Sequence, residues 1–165
     1  MEKRDLFFYF VLNLKKNYDI INPELELNRY HILKMLFIAT VKENKLLNGL
    51  GDGLNFDNFY ALPKGPVESD CYNYIYNTPG IFENIIKNTE YIENQIENEI
   101  DEDTKRIIKE STLKLGYHLY EKDDDYLIEY THTFESWKNA WLKAKIYGKK
   151  AFYIEPNDII NDRAY

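Results

Sequence analysis

Apolar residues recur along much of the chain at spacings of three and four, the period of an amphipathic helix. Leu6, Phe7, Phe10, Val11 and Leu14 make one apolar face and predict a first helix over residues 3 to about 17, with Lys15, Lys16 and Asn17 suited to its C-terminal end. Asn22-Pro23 signals a turn. Asn28 is placed to cap a second helix running to about Glu43. There Ile32, Leu33, Met35, Leu36, Phe37, Ile38 and Val41 cover most of the circumference, so this helix is expected to be central, with neighbours on several sides. Residues 45–57 read as a loop.

The period then changes to two. Phe56, Asn58, Tyr60 and Leu62 alternate with Asn55, Asp57, Phe59 and Ala61, as in a short strand or extended arm. Pro63, Gly65 and Pro66 follow. They predict a corner at which Pro66 enters the first turn of a helix, with Glu68, Ser69 and Asp70 near its start and Val67, Cys71, Tyr74 and Ile75 as its apolar stripe. Asn77-Thr78-Pro79-Gly80 stops it.

From Ile81 the apolar positions (Ile85, Tyr91, Ile92, Ile96 and Ile100) lie on an acidic background, with Ile92, Ile96 and Ile100 one turn apart. This stretch reads either as a solvated helix or mobile connector, or as an acidic surface docking a basic partner through Glu93, Glu97, Asp101 and Asp103. Asp103 is the expected cap of a helix to about Leu119, and the aspartates 123–125 cap a short helix over Tyr126 to His132. Thr133 is the expected cap of a last clear helix whose face is Trp137, Ala140, Trp141 and Ala144. The segment 149–153 suits an extended conformation, and Glu155-Pro156 starts a final helical turn anchored by Ile159 and Ile160. These elements predict a mainly α, single compact domain over 1–165, of about six helices with a short extended element before the Gly-Pro-Val corner. The N-terminal helix is 3–17 and the C-terminal segment 149–165.

Composition fits this picture. The chain has 165 residues, 44% hydrophobic and 30% charged, enough to bury a core without metal or disulfide. Its aromatic share of 16% includes 15 tyrosines, which serve either a core with hydroxyls reaching the rim or an aromatic partner surface. A net charge of −7 with no clustered Lys and Arg argues against a phosphate-backbone binder, hence against a nucleic-acid partner. The apolar run Leu6 to Leu14 is too short to span a membrane and lacks a cleavage site, so a cytoplasmic protein is expected.

Candidate chemistry is sparse. The lone cysteine, Cys71, reads as a small buried hydrophobe. Ser69, Ser111 and Ser136 sit in no nucleophile elbow. His31, His118 and His132 have no neighbours at metal-ligand spacing, and the aspartates 123–125 lack the glycine and glutamate of a calcium loop. Gly49, Gly51 and Gly53 precede neither Lys-Ser nor Lys-Thr, so no phosphate loop is expected. His31 is expected to be structural or exposed. His132, between Thr131 and Thr133, either ties a helix corner together or serves a small enzyme or ligand site with Thr131 and Tyr60. No catalytic set, metal site or cofactor is predicted.

Three motifs in order resemble the Panacea, or SocA-like, antitoxin domain of bacterial and phage toxin-antitoxin systems. They are Lys34, Leu36, Phe37 and Ala39; then Tyr60, Ala61, Gly65, Pro66 and Val67; then Leu127, Thr131, His132, Trp137 and Ala140, within a region of about 28–145. The resemblance implies a mainly helical, non-catalytic antitoxin. It would neutralise a toxin encoded nearby, in many members by direct contact and in some by delivering the toxin to a protease. Alarmone-synthetase-like enzymes that stop translation are among the toxins it implies. The named corner residues would then be a structural signature, with partner choice made elsewhere.

Overall fold

In the computed structural model, which describes residues 1–78, 80–87 and 89–162, the first apolar run forms α1 (Lys3–Ile21) and the second forms α2 (Arg29–Lys42). Asn28 caps α2 as expected, its side chain accepting the His31 backbone N–H at 3.0 Å. A single turn, α3 (Lys45–Asn48), lies inside the expected loop. The strands β1 (Phe59–Leu62) and β2 (Gly65–Glu68) form a hairpin, followed by α4 (Ser69–Tyr76), α5 (Ile81–Lys87), α6 (Thr89–Ile96) and a 3-10 turn at Glu97–Glu99. Next come α7 (Glu102–Lys114), α8 (Tyr117–Tyr120), α9 (Asp124–Thr131) and α10 (Glu135–Ile146). The last elements are β3 (Phe152–Tyr153) and α11 (Pro156–Ile160).

The fold is mainly helical, one compact domain with a small antiparallel sheet of order β2-β1-β3. Its described helices number eleven rather than about six, because several are single turns set off by breaks such as Gly116 at φ +80°. That glycine ends the helix expected to reach Leu119. The expected single apolar face of α1 is a full circumference. Every residue from Leu6 to Leu14 is buried, because α4, α5, α6, α7 and α8 all pack on this helix. The central position expected of α2 holds, with α7, α9, β2 and α4 around it. Phe37 of α2 meets Phe59 of β1 and Phe134 edge-on, both at 5.4 Å between ring centres.

The Gly-Pro-Val corner differs from the expected helix start. Gly65, Pro66 and Val67 belong to β2, and the helix begins only at Ser69. Proline is tolerated there because β2 is an edge strand, so its missing N–H breaks no central ladder. The acceptor role near the helix start falls to Glu68. This fully buried residue accepts Asp70 N–H at 2.8 Å and Cys71 N–H at 3.2 Å. Its charge pairs with Lys3, which also bonds Asp70 at 2.6 Å. Burial opposes the Lys3 charge, but Glu68 and Asp70 outweigh it and raise the Lys3 pKa.

Two expected caps are elsewhere. Asp101, not Asp103, caps α7, accepting Thr104 N–H at 2.8 Å. Thr133 donates its hydroxyl back to the Tyr130 carbonyl at 2.6 Å and caps nothing. The N-terminus of α10 is served from far away, by Asp162, which accepts Ser136 N–H at 3.0 Å. Asp123 does cap α9, at 2.9 Å from Tyr126 N. Of the two expected C-terminal anchors, Ile159 is buried and Ile160 is 38% exposed. The isoleucine stripe is interrupted, since the 3-10 turn separates partly buried Ile96 from buried Ile100. Pro79, residues 163–165 and the side chains of Ile81, Tyr91 and Ile92 lie outside the described residues. Among the described residues no helix is long and apolar enough to cross a membrane.

Candidate functional site

The hairpin turn Leu62–Pro66 is held by three helices, and residues of the three sequence motifs are the grip. Gly65 has φ +117°, a conformation that L side chains rarely adopt, and a Cβ there would stand 2.7 Å from Thr131 Oγ1 of α9 and 3.3 Å from Lys34 Nζ of α2. Lys34 Nζ donates to the Pro66 carbonyl at 3.1 Å. Trp137 of α10 donates its indole N–H to the Leu62 carbonyl at 2.9 Å. His132 stacks on Trp137 at 4.0 Å, and Thr131 donates to the Ile128 carbonyl at 2.9 Å. On the strands, Ala61 pairs with Pro66, and Tyr60 stands between Val67 and Tyr153. The two distinctive corners of the sequence are thus one junction.

This arrangement holds a backbone turn rather than a reacting group. Tyr60 meets Tyr153 at 5.5 Å, and among the described residues no hydrogen bond or ring contact joins it to His132. Burial lowers the His132 pKa, against the Pro63 carbonyl, and Lys34 lowers it further. Its Nε2 is buried without a hydrogen-bond partner among the described residues. His31 is structural, its ring bridging the Asp124 carboxylate and, at 2.7 Å, the Lys122 carbonyl. Cys71 is fully buried, and burial, helped by Glu68, pushes its thiol well above the ordinary range. Ser111 donates to the Ile108 carbonyl at 2.7 Å, and Ser136 to Asp162. Among the described residues no group of three or more His, Cys, Asp or Glu is placed to hold a metal.

Beside the junction lies a groove of about 440 Å³, whose lining includes Tyr30, Lys34, Lys64, Gly65, Tyr72 and Tyr76. Tyr30 and Tyr76 also line an adjoining cleft of about 470 Å³ that holds Arg29 and Phe82. Tyr72 and Tyr76 are one turn apart on α4, with ring centres 4.4 Å apart, and Lys64 Nζ sits 5.7 Å from the centre of the Tyr30 ring. All three tyrosines are at least 40% exposed. Lys34 is 3% exposed, and among the described residues no carboxylate pairs with it. Burial lowers its pKa to about 8. The groove has no continuous signature in the sequence because its members come from α2, the hairpin turn and α4. The available signal was the pair Tyr72 and Tyr76, recurring at four residues on the side of α4 away from Cys71 and Ile75.

The candidate acidic contacts lie on three consecutive elements. Glu93 of α6 pairs with Lys16 of α1. Asp101 is the α7 cap, Asp103 sits 3.6 Å from Arg106, and Glu97 lies in the 3-10 turn.

A family model described as antitoxin SocA-like, Panacea domain, matches residues 32–138, a stretch that includes Lys34, Gly65, Pro66, Thr131, His132 and Trp137 of the junction. Comparison with curated proteins and with solved structures returned no match.

Proposed function

Because the chain belongs to the SocA-like antitoxin family with a Panacea domain, we propose that it is a non-catalytic antitoxin that neutralises its toxin by direct protein–protein binding. The match over residues 32–138 carries this reading. The side-chain chemistry agrees with it: the cysteine, the buried serines, His31 and Thr131 are committed to packing and hydrogen bonds that hold the fold. The toxin is encoded beside this gene and is an alarmone-synthetase-like or other translation-inhibiting enzyme.

The test is co-expression with each neighbouring gene product, reading growth, complex formation and toxin level together. Restored growth with the toxin intact in a co-purifying complex supports direct binding. Restored growth with loss of the toxin that depends on a cellular protease makes the chain a proteolytic adaptor instead. No rescue with any neighbour overturns the antitoxin reading.

A further inference from the structure

We propose that the groove between α2, the hairpin turn and α4 is the toxin-binding surface, and that it receives an acidic segment of the toxin whose carboxylate pairs with Lys34. The proposal rests on the antitoxin reading and adds to it the face and the chemistry of the partner. It also differs from docking of a basic partner on the carboxylates of α6 and α7.

Three observations carry it. The first is charge. Lys34 is 3% exposed, lines the groove, and has a backbone carbonyl as its partner rather than a counter-ion. A buried ammonium loses its hydration, and a single carbonyl dipole does not replace it. A carboxylate entering the groove would supply the missing charge where water is scarce and the attraction strong. Lys64 at the rim adds a second positive charge, in a chain whose net charge is −7. The second is surface. Tyr30, Tyr72 and Tyr76 are 44%, 41% and 40% exposed and converge on the same groove. Tyrosines supply large rigid contact area with a polar tip and are enriched at the centres of protein interfaces. The third is length. The groove continues past Tyr30 and Tyr76 into the cleft where Arg29 pairs with Glu83, and past Leu62, Val67 and Tyr72 towards Ser69 and Asn73. A trough of that extent suits a peptide segment, whereas a small anion would occupy only the part beside Lys34.

The test uses the full chain, labelled with ¹⁵N, and three probes: acetylated and amidated hexaglutamate, hexalysine with the same ends, and inorganic phosphate. The glutamate peptide is expected to shift the amides of Tyr30, Lys64, Gly65, Tyr72 and Tyr76, and hexalysine to leave them in place. Lys64→Glu and the double variant Tyr72→Ala/Tyr76→Ala each weaken peptide binding at least tenfold, as does Lys34→Met. Phosphate shifting the same residues at the same concentration marks a small-anion pocket and overturns the assignment, as does silence of the glutamate peptide. In cells the same variants are expected to lose growth rescue while remaining folded with a cooperative transition, Lys34→Met keeping the wild-type melting temperature or exceeding it. Rescue retained by the groove variants but lost on Glu97→Lys/Asp103→Lys also overturns the proposal. The peptide titration needs no toxin. A wild-type chain that binds hexaglutamate here but rescues growth against no neighbour removes the toxin and leaves an acidic-peptide groove.

Discussion

Lys34 is the residue at which stability and proposed function pull apart. Its pKa is lowered from 10.5 to about 8 because burial disfavours the charged form. The unfolded chain therefore holds more protons than the folded one between those two values, and stability contributed by this residue rises with pH across that window. The destabilisation is fully present below pH 8, where it amounts to about 3 kcal/mol at most. Lys34→Met removes the charge and keeps the volume, at the loss of one hydrogen bond to Pro66, so a net gain of about 1–2 kcal/mol is expected at pH 7. Urea unfolding at pH 7, 9 and 10 measures it: the variant's advantage should shrink as pH rises through 8 towards 10.5. An advantage that does not change with pH would show that folding leaves the Lys34 pKa unshifted. A residue whose replacement stabilises the fold yet abolishes rescue would be kept for binding.

At the scale of elements, the joint between α1, β2 and α4 is fastened by charge. Glu68 is fully buried, caps α4 and pairs with Lys3 of α1, which is itself 8% exposed. Lys3→Met leaves the carboxylate buried without its counter-ion and is expected to cost about 3–5 kcal/mol. The pair Lys3→Met/Glu68→Gln should recover part of that loss, because it removes the stranded charge and keeps acceptor capacity at the cap. Equilibrium unfolding of both variants measures the difference, and equal losses would refute the electrostatic account. This fastening spans 65 residues of sequence separation from Lys3 to Glu68, which is why the sequence shows Glu68 only as one acceptor near a helix start. The same distinction separates what was legible from what was not. Local devices read correctly: Asn28 and Asp123 cap the helices that follow them, and the second half of the alternation at 55–62, residues 59–62, is a strand. Devices supplied from afar did not. Thr133 looked like a cap because Asp162, the true acceptor at that helix end, is 26 residues from Ser136. Gly-Pro-Val misleads for a different reason: its partner β1 lies only two residues upstream, but Pro66 suits the first turn of a helix as well as an edge strand. The junction was legible as a set of motifs, while the groove beside it, assembled from three elements, was not.

For the molecule as a whole, the family match and the folding unit are different objects. The match covers residues 32–138 and so omits α1, β3 and α11. Yet Leu6, Phe7, Phe10 and Leu14 of α1 are all 0% exposed. At about 1.5–3 kcal/mol for each large apolar side chain buried, the apolar residues of α1 together contribute on the order of 10–20 kcal/mol. That equals or exceeds the ~5–15 kcal/mol net stability of an ordinary domain. A fragment over residues 29–146 is therefore expected to show no cooperative thermal transition and to bind a hydrophobic dye, although it contains every signature residue. The C-terminal elements matter less but still measurably. Ile154 and Ile159 are both 0% exposed, β3 covers the free edge of β1, and Asp162 serves the start of α10. Ending the chain at residue 148 should leave a folded protein destabilised by about 3–6 kcal/mol from the two isoleucines alone. Differential scanning calorimetry of the three chains ranks them. A sharp, wild-type-like transition in the 29–146 fragment would mean that the matched region folds without α1.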